Sequence, residues 1–100
     1  MANPVIEYGY RHRHLDDTAL VLTGSGILHT LTINSPDTTA SATVTIYDGL
    51  TNAGVVIGVI AMDAALFVVP VTLVYDVKVA TGIYVEFSFA VTADITVSFN

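Results

Sequence analysis

Six residues near the amino terminus carry the densest chemistry in the chain: Tyr8, Tyr10, Arg11, His12, Arg13 and His14. The His12-x-His14 spacing sets two imidazoles on one face of an extended strand, as a metal site needs. A third ligand would have to come from Asp16, Asp17, His29 or a second copy of the chain. Nothing fixes one of them in place, so the better reading is an exposed arm of alternating cations, with no metal. Tyr and Arg are also the residue types favoured as anchors of protein interfaces. The segment therefore reads as a partner-binding arm or, if it lies against the body of the protein, as an edge strand.

The other candidates are sparser. Asp48, Asp63, Asp76, Glu86 and Asp94 stand singly, mostly at strand ends or on solvent faces, without the D-x-D-x-D run of a calcium loop. Turn formation and solubility explain them better than paired acid–base chemistry. Strict alternation puts His29 on the apolar side of its strand, which predicts a buried, hydrogen-bonded core histidine before a pH-sensitive one. Gly24-Ser25-Gly26 lacks the G-x-S-x-G frame of a nucleophile elbow and the G-x-G-x-x-G phosphate cradle, so it reads as a hairpin turn. Neither a catalytic residue nor a cofactor is expected, and the chain does not read as an enzyme. Tyr8, Tyr10, Tyr47, Tyr75 and Tyr84 suit either stacking on sugars or a protein interface, where Tyr is enriched. The absence of Trp weakens the sugar reading.

The elements that must carry these residues are strands. Val, Ile and Thr make up 36 of the 100 residues (15, 8 and 13), and β-branched side chains fit a pleated sheet better than a helix. Apolar residues recur with period two: Ile27, His29, Leu31 and Ile33; Ala42, Val44 and Ile46; Ile83, Val85, Phe87 and Phe89; Ile95, Val97 and Phe99. That is the pattern of half-buried antiparallel strands. Strands are expected near 5–10, 18–23, 27–33, 41–47, 55–61, 66–79, 83–90 and 94–99, with a bend or an edge at Pro70. The expected fold is all-β, a single antiparallel β-sandwich, jelly-roll-like or Greek-key, of seven or eight strands. Residues 1–17 form the arm or edge strand and 18–100 the sandwich. The stretches 55–62 and 66–79 are apolar on both faces, which implies burial on two sides, the second against another subunit.

Composition points the same way. At 100 residues there is room for one domain. Hydrophobic residues make up 53% and charged residues 12%, about half the roughly 25% charge usual in globular domains. So few charges leave apolar surface for a partner to cover. The net charge is −6, and Arg11, Arg13 and Lys78 are the only Lys or Arg residues, too few to track a phosphate backbone. Nucleic acid is therefore not an expected partner. Without Cys there is no disulfide, thiolate zinc site or thiol catalysis. No secretory leader and no apolar run near the ~20 residues of a spanning helix can be read, so no membrane is expected.

From Ile27 to Phe99 the chain resembles small head proteins of tailed bacteriophages. The resemblance lies in Leu31-Thr32-Ile33-Asn34, Thr45-Ile46-Tyr47-Asp48-Gly49, Tyr75-Asp76-Val77, Gly82-Ile83-Tyr84-Val85 and Ala93-Asp94-Ile95-Thr96-Val97. It covers about three-quarters of the chain and rests on strand-and-turn patterns. It implies a decoration or cement protein, made in the host cytoplasm, that clusters (often as a homotrimer) on the outer capsid surface of the virion. The major capsid protein would be its partner. The Arg-His-Arg-His segment has no counterpart in that resemblance. The alternative is a carbohydrate- or receptor-binding β module of a fibre or spike.

Overall fold

Each stretch in which apolar and polar side chains alternate becomes a strand, because only a pleated strand sends alternate side chains to opposite faces. The computed structural model describes residues 10–35, 42–62, 70–88 and 93–100. Eight strands run in chain order: β1 (Arg11–Leu15), β2 (Ala19–Thr23), β3 (Gly26–Ser35), β4 (Thr43–Asp48), β5 (Val55–Ala61), β6 (Val71–Val79), β7 (Gly82–Phe87) and β8 (Asp94–Phe99). They form two four-stranded sheets, sheet A in the order β1-β8-β3-β6 and sheet B in the order β2-β7-β4-β5. Every pairing among the described residues is antiparallel. The protein is thus an all-β sandwich, and its strand order is that of a jelly roll. No helix in the described residues is long and apolar enough to cross a membrane.

The inner faces supply the core. Leu28, Leu31 and Ile33 of β3 and Ile95, Val97 and Phe99 of β8 meet Val44 and Ile46 of β4 and Ile83, Val85 and Phe87 of β7. The alternation read from β4, β7 and β8 holds residue for residue where it is described; Phe89 lies outside the described residues. On β3 it does not. Leu28 is buried and Ile27 exposed, because the register against both β8 and β6 shifts between Leu28 and Thr30. Against β8 the extra residue is His29, while against β6 the extra residue is on β6; His29 reverses the phase of β3. His29 is therefore not the core histidine that strict alternation predicts; its side chain keeps 30% of its exposure.

Among the described strands, consecutive ones lie in different sheets except β4 and β5, which pair as a hairpin in sheet B. Gly24-Ser25-Gly26 is accordingly not a hairpin turn. It is a corner between β2 of one sheet and β3 of the other, and Gly24 supplies the left-handed φ of 98° it needs. A second corner, from β6 to β7, lies against it: the Gly24 amide donates to the Thr81 carbonyl (2.8 Å). Asp48, at the end of β4, clamps that second corner. Its carboxylate accepts the amides of Ala80 (3.0 Å), Thr81 (2.9 Å) and Gly82 (3.3 Å). Those bonds hold the Asp48 carboxyl below the ordinary carboxylate range, the Ala80 and Thr81 amides contributing most, against a smaller opposing effect of desolvation. A Cβ on residue 82 would stand 2.5 Å from the Leu22 carbonyl oxygen, so the corner closes only on glycine.

Among the described residues the two apolar stretches, 55–62 and 66–79, supply edge strands, β5 and β6, a place that Pro70 allowed for the second and that nothing local indicated for the first. Val55, Val56 and Val59 of β5 and Val74 of β6 are all more than half exposed. Residues 63–69, including Asp63 and the first part of the second stretch, lie outside the described residues. So does most of the strand expected at 5–10; the first described strand is β1, at 11–15.

Candidate interaction surface

Of the six residues singled out near the amino terminus, Tyr8 lies outside the described residues and the other five stand on or beside β1. As the edge of sheet A, β1 pairs with β8, placing Arg11 opposite Phe99 and His14 opposite Thr96. Tyr10 stacks on the His29 ring (centroids 3.9 Å apart, planes within 8°). Arg11 lies 4.8 Å over the Phe99 ring, a cation–π contact. The Arg13 Nη1 donates to the Leu20 carbonyl of β2 (2.8 Å), joining the two sheets at this side of the sandwich. His14 Nε2 lies 2.6 Å from Asp94 Oδ1. Four of these side chains are thus engaged by the domain itself, while His12 is exposed. Among the described residues no three His, Asp or Glu side chains converge as a metal would require.

The outer face of sheet A is polar and internally bonded along its middle, although Ile27 of β3 and Val74 of β6 also stand open on it. One register row crosses all four strands: His14, Thr96, Thr32 and Thr72. The hydroxyls of Thr32 and Thr72 are hydrogen-bonded at 2.9 Å. Asn34 Nδ2 donates to Asp94 Oδ1 (2.9 Å) and to Thr96 Oγ1 (3.1 Å). The Asn34 bond does most to depress the Asp94 carboxyl; desolvation, the next largest effect, opposes it, and the contact with His14 adds to the lowering. On β6, Asp76 adopts a left-handed φ of 48° at the bulge and bonds to His29 Nδ1.

Sheet B presents the opposite chemistry. Its corresponding row is Leu20, Tyr84, Tyr47 and Val56, one residue from each strand. Val59 lies in the next row, opposite Thr45, which in turn faces Glu86. Leu20, Val56 and Val59 are 37%, 52% and 61% exposed. Single exposed apolar residues are ordinary, whereas a contiguous set is the mark of a docking surface. The Tyr47 and Tyr84 rings, 6.2 Å apart and tilted by 50°, form a ridge and not a flat platform. Glu86 borders the ridge, accepting from the Tyr47 hydroxyl (3.4 Å) and from Asn52 Nδ2 (3.0 Å). Desolvation and, after it, the Glu86 charge push the Tyr47 phenol up, so it stays protonated and able to donate.

The structure therefore separates the five tyrosines. Tyr47 and Tyr84 share the ridge; Tyr10 stacks on His29; Tyr75 lies at the opposite edge, its hydroxyl over Gly58 and its phenol pushed up by burial. Asp48 and Asp94 bond within the fold. Sequence reasoning passed over Leu20; it placed Val56 and Val59 in a stretch covered by another subunit, but their grouping with the two tyrosines depends on cross-strand register.

Comparison with known proteins adds no relative: no family model, no curated protein and no solved structure matches the chain.

Proposed function

We propose that the protein is a structural, non-enzymatic β module that docks onto a larger protein assembly through the outer face of sheet B. In the specific form implied by the sequence resemblance, it is a decoration protein on a phage capsid and binds the major capsid protein. The observation that carries the docking surface is the unbroken row Leu20, Tyr84, Tyr47 and Val56. In an acidic chain with so few charges, this row offers apolar area worth roughly 25 cal/mol per Å² once covered, with two aromatic anchors at its centre. Jelly rolls of this kind serve in viral capsids and in lectins. A fold by itself does not choose between those uses.

One observation favours the carbohydrate- or receptor-binding reading. The tyrosine ridge is bordered by the Glu86 carboxylate and the Asn52 amide, groups that hydrogen-bond to sugar hydroxyls. A single experiment separates the two. The protein is co-sedimented with shells assembled from the major capsid protein of the same genome, and in parallel applied to a glycan array. Saturable shell binding that is lost in a Tyr47→Ala, Tyr84→Ala double variant supports decoration. Glycan binding lost in that variant, without shell binding, overturns decoration in favour of the second reading.

A further inference from the structure

The charges of the chain are divided unequally between the two sheets. Arg11, His12, Arg13 and His14 stand on β1, His29 on β3 and Lys78 on β6. All six basic side chains of the sequence therefore belong to strands of sheet A. The strands of sheet B carry two carboxylates, Asp48 and Glu86, and no basic residue. Asp48 is engaged by the amides of its corner. Glu86, two residues from Tyr84 on β7 and opposite Thr45, stands half-buried beside the tyrosine ridge. Its two oxygens accept from the Tyr47 hydroxyl (3.4 Å) and from Asn52 Nδ2 (3.0 Å), both neutral donors. Among the described residues the ion pairs are His14 with Asp94 and His29 with Asp76, so no cation meets Glu86.

We infer that Tyr47, Tyr84 and Glu86 form a binding site for an arginine side chain of the partner protein. This rests on the docking reading above and deepens it. A partner that covers the row Leu20, Tyr84, Tyr47 and Val56 also covers Glu86 in the row beside it. Withdrawing a carboxylate from water is costly unless an opposite charge and further hydrogen bonds replace the water. Sheet B has no basic residue to supply that charge, so the partner must bring it. At a net charge of −6, the protein as a whole is also drawn toward a basic surface and away from an acidic one.

The tyrosines decide which cation fits. A guanidinium is planar, lies flat against an aromatic face and forks onto a carboxylate with two parallel N–H donors, which an ammonium does not do. The Tyr47 and Tyr84 rings stand side by side, 6.2 Å apart, and the Glu86 carboxylate lies at the hydroxyl end of Tyr47. A guanidinium laid on the Tyr47 ring therefore reaches the carboxylate while keeping its cation–π contact. The Tyr47 phenol stays protonated and neutral, so the charge to be answered is that of Glu86 alone. A neutral sugar offers only hydroxyls and leaves that charge uncompensated.

Two-dimensional NMR of the labelled full chain, titrated with the blocked peptide acetyl-Gly-Arg-Gly-amide, tests the inference. The same peptide with citrulline in place of arginine, neutral and of nearly the same shape, is the control. The arginine peptide is expected to shift Tyr47, Tyr84 and Glu86 saturably. The citrulline peptide should bind roughly fivefold more weakly, the scale of an ion pair open to solvent. Glu86→Gln, which keeps the shape of the side chain, should lower the affinity for the arginine peptide by a similar factor. Asp94→Asn, an equal loss of charge on sheet A, should not. Equal binding of the two peptides, no binding of either, shifts centred on another carboxylate, or full affinity in Glu86→Gln would each overturn the inference. The peptide comparison needs wild-type protein alone and decides the matter should Glu86→Gln misfold. Shell co-sedimentation is measured separately. Shells that release the Tyr47→Ala, Tyr84→Ala variant but hold Glu86→Gln as tightly as wild type keep the docking face and remove the arginine from it. Arginine-peptide binding at Glu86 without shell binding keeps the arginine site and removes the capsid.

Discussion

On the outside of sheet A, the row His14, Thr96, Thr32 and Thr72 crosses four strands; on the outside of sheet B, Leu20, Tyr84, Tyr47 and Val56 do the same. The two rows occupy equivalent places in one jelly roll, and their inner neighbours pack into one core. Their chemistry differs completely. Sheet A closes its outer face with hydrogen bonds between its own side chains: Thr32 with Thr72, and Asn34 with Asp94 and Thr96. Sheet A leaves Ile27 and Val74 in water beside that row; on sheet B the apolar and aromatic side chains make up the row itself. A sheet needs one buried face to be stable, so the chemistry of the other is free to serve solubility or association. On the proposed docking reading, the bonded row of sheet A serves the first and the tyrosine row of sheet B the second.

The largest departure from this picture is expected at Asp48, which belongs to neither outer face and holds the corners that set both sheets in place. Replacing it with Ala strands three amides that its carboxylate now accepts. The folded-state carboxyl is depressed, so its contribution is fully present above the ordinary carboxylate value near 3.9. It is lost as the pH falls through the lower folded value. Urea unfolding should therefore show a large loss of stability for Asp48→Ala at neutral pH, narrowing as the pH drops below about 4. A gap that stays constant down to about pH 3 would show that the carboxylate does not hold the corner.

How much of this was legible beforehand depends on whether the cause is local. The alternation along β4, β7 and β8 is local, and so the strands and their buried residues could be read directly. The reversal at His29 could not be, because a bulge is a mismatch between β3 and its neighbours and leaves no mark in the alternation itself. Edge position is equally non-local: the two-sided apolar pattern of β5 reads the same in a buried central strand and in an edge strand. Tyr47 and Tyr84 stood out by residue type, but Leu20 and Val56 join them only through register. Asp48 reads as a turn-forming residue, and nothing in the spacing tells that its carboxylate clamps the corner at Ala80, Thr81 and Gly82.

A smaller effect should follow from disturbing the polar face. Asp94 receives Asn34 and His14 at an exposed site, where solvent screening limits an ion pair to about 1 kcal/mol or less. Asp94→Ala is expected to cost no more than that at neutral pH. Because its folded carboxyl is depressed, the cost should fade on acidification through the carboxylate range, in the same direction as for Asp48. A loss of several kcal/mol in urea unfolding would mean that sheet A depends on this network for folding and not for its surface alone.

The smallest effect on stability is expected where the effect on association is greatest. Leu20, Val56 and Val59 project from sheet B with 37%, 52% and 61% of their surface open. Folding leaves a large part of each side chain in water, least at Leu20, and substitutions at surface positions usually stay within about 0.5 kcal/mol. Threonine keeps the β-branched shape that suits a strand and adds a hydroxyl that water can satisfy. Each of Leu20→Thr, Val56→Thr and Val59→Thr should therefore leave the urea midpoint nearly unchanged. Combined, the three would give sheet B the polar outer face that sheet A already has, and shell binding should fall sharply. The converse change sharpens the contrast: Thr32→Val with Thr96→Val makes sheet A apolar outside, and should lower solubility without creating shell binding, since no tyrosine ridge stands there. Should the triple threonine variant lose about 2 kcal/mol or more, those three side chains would be packing residues of the domain. The two faces would then differ in how they are buried and not in what they are for.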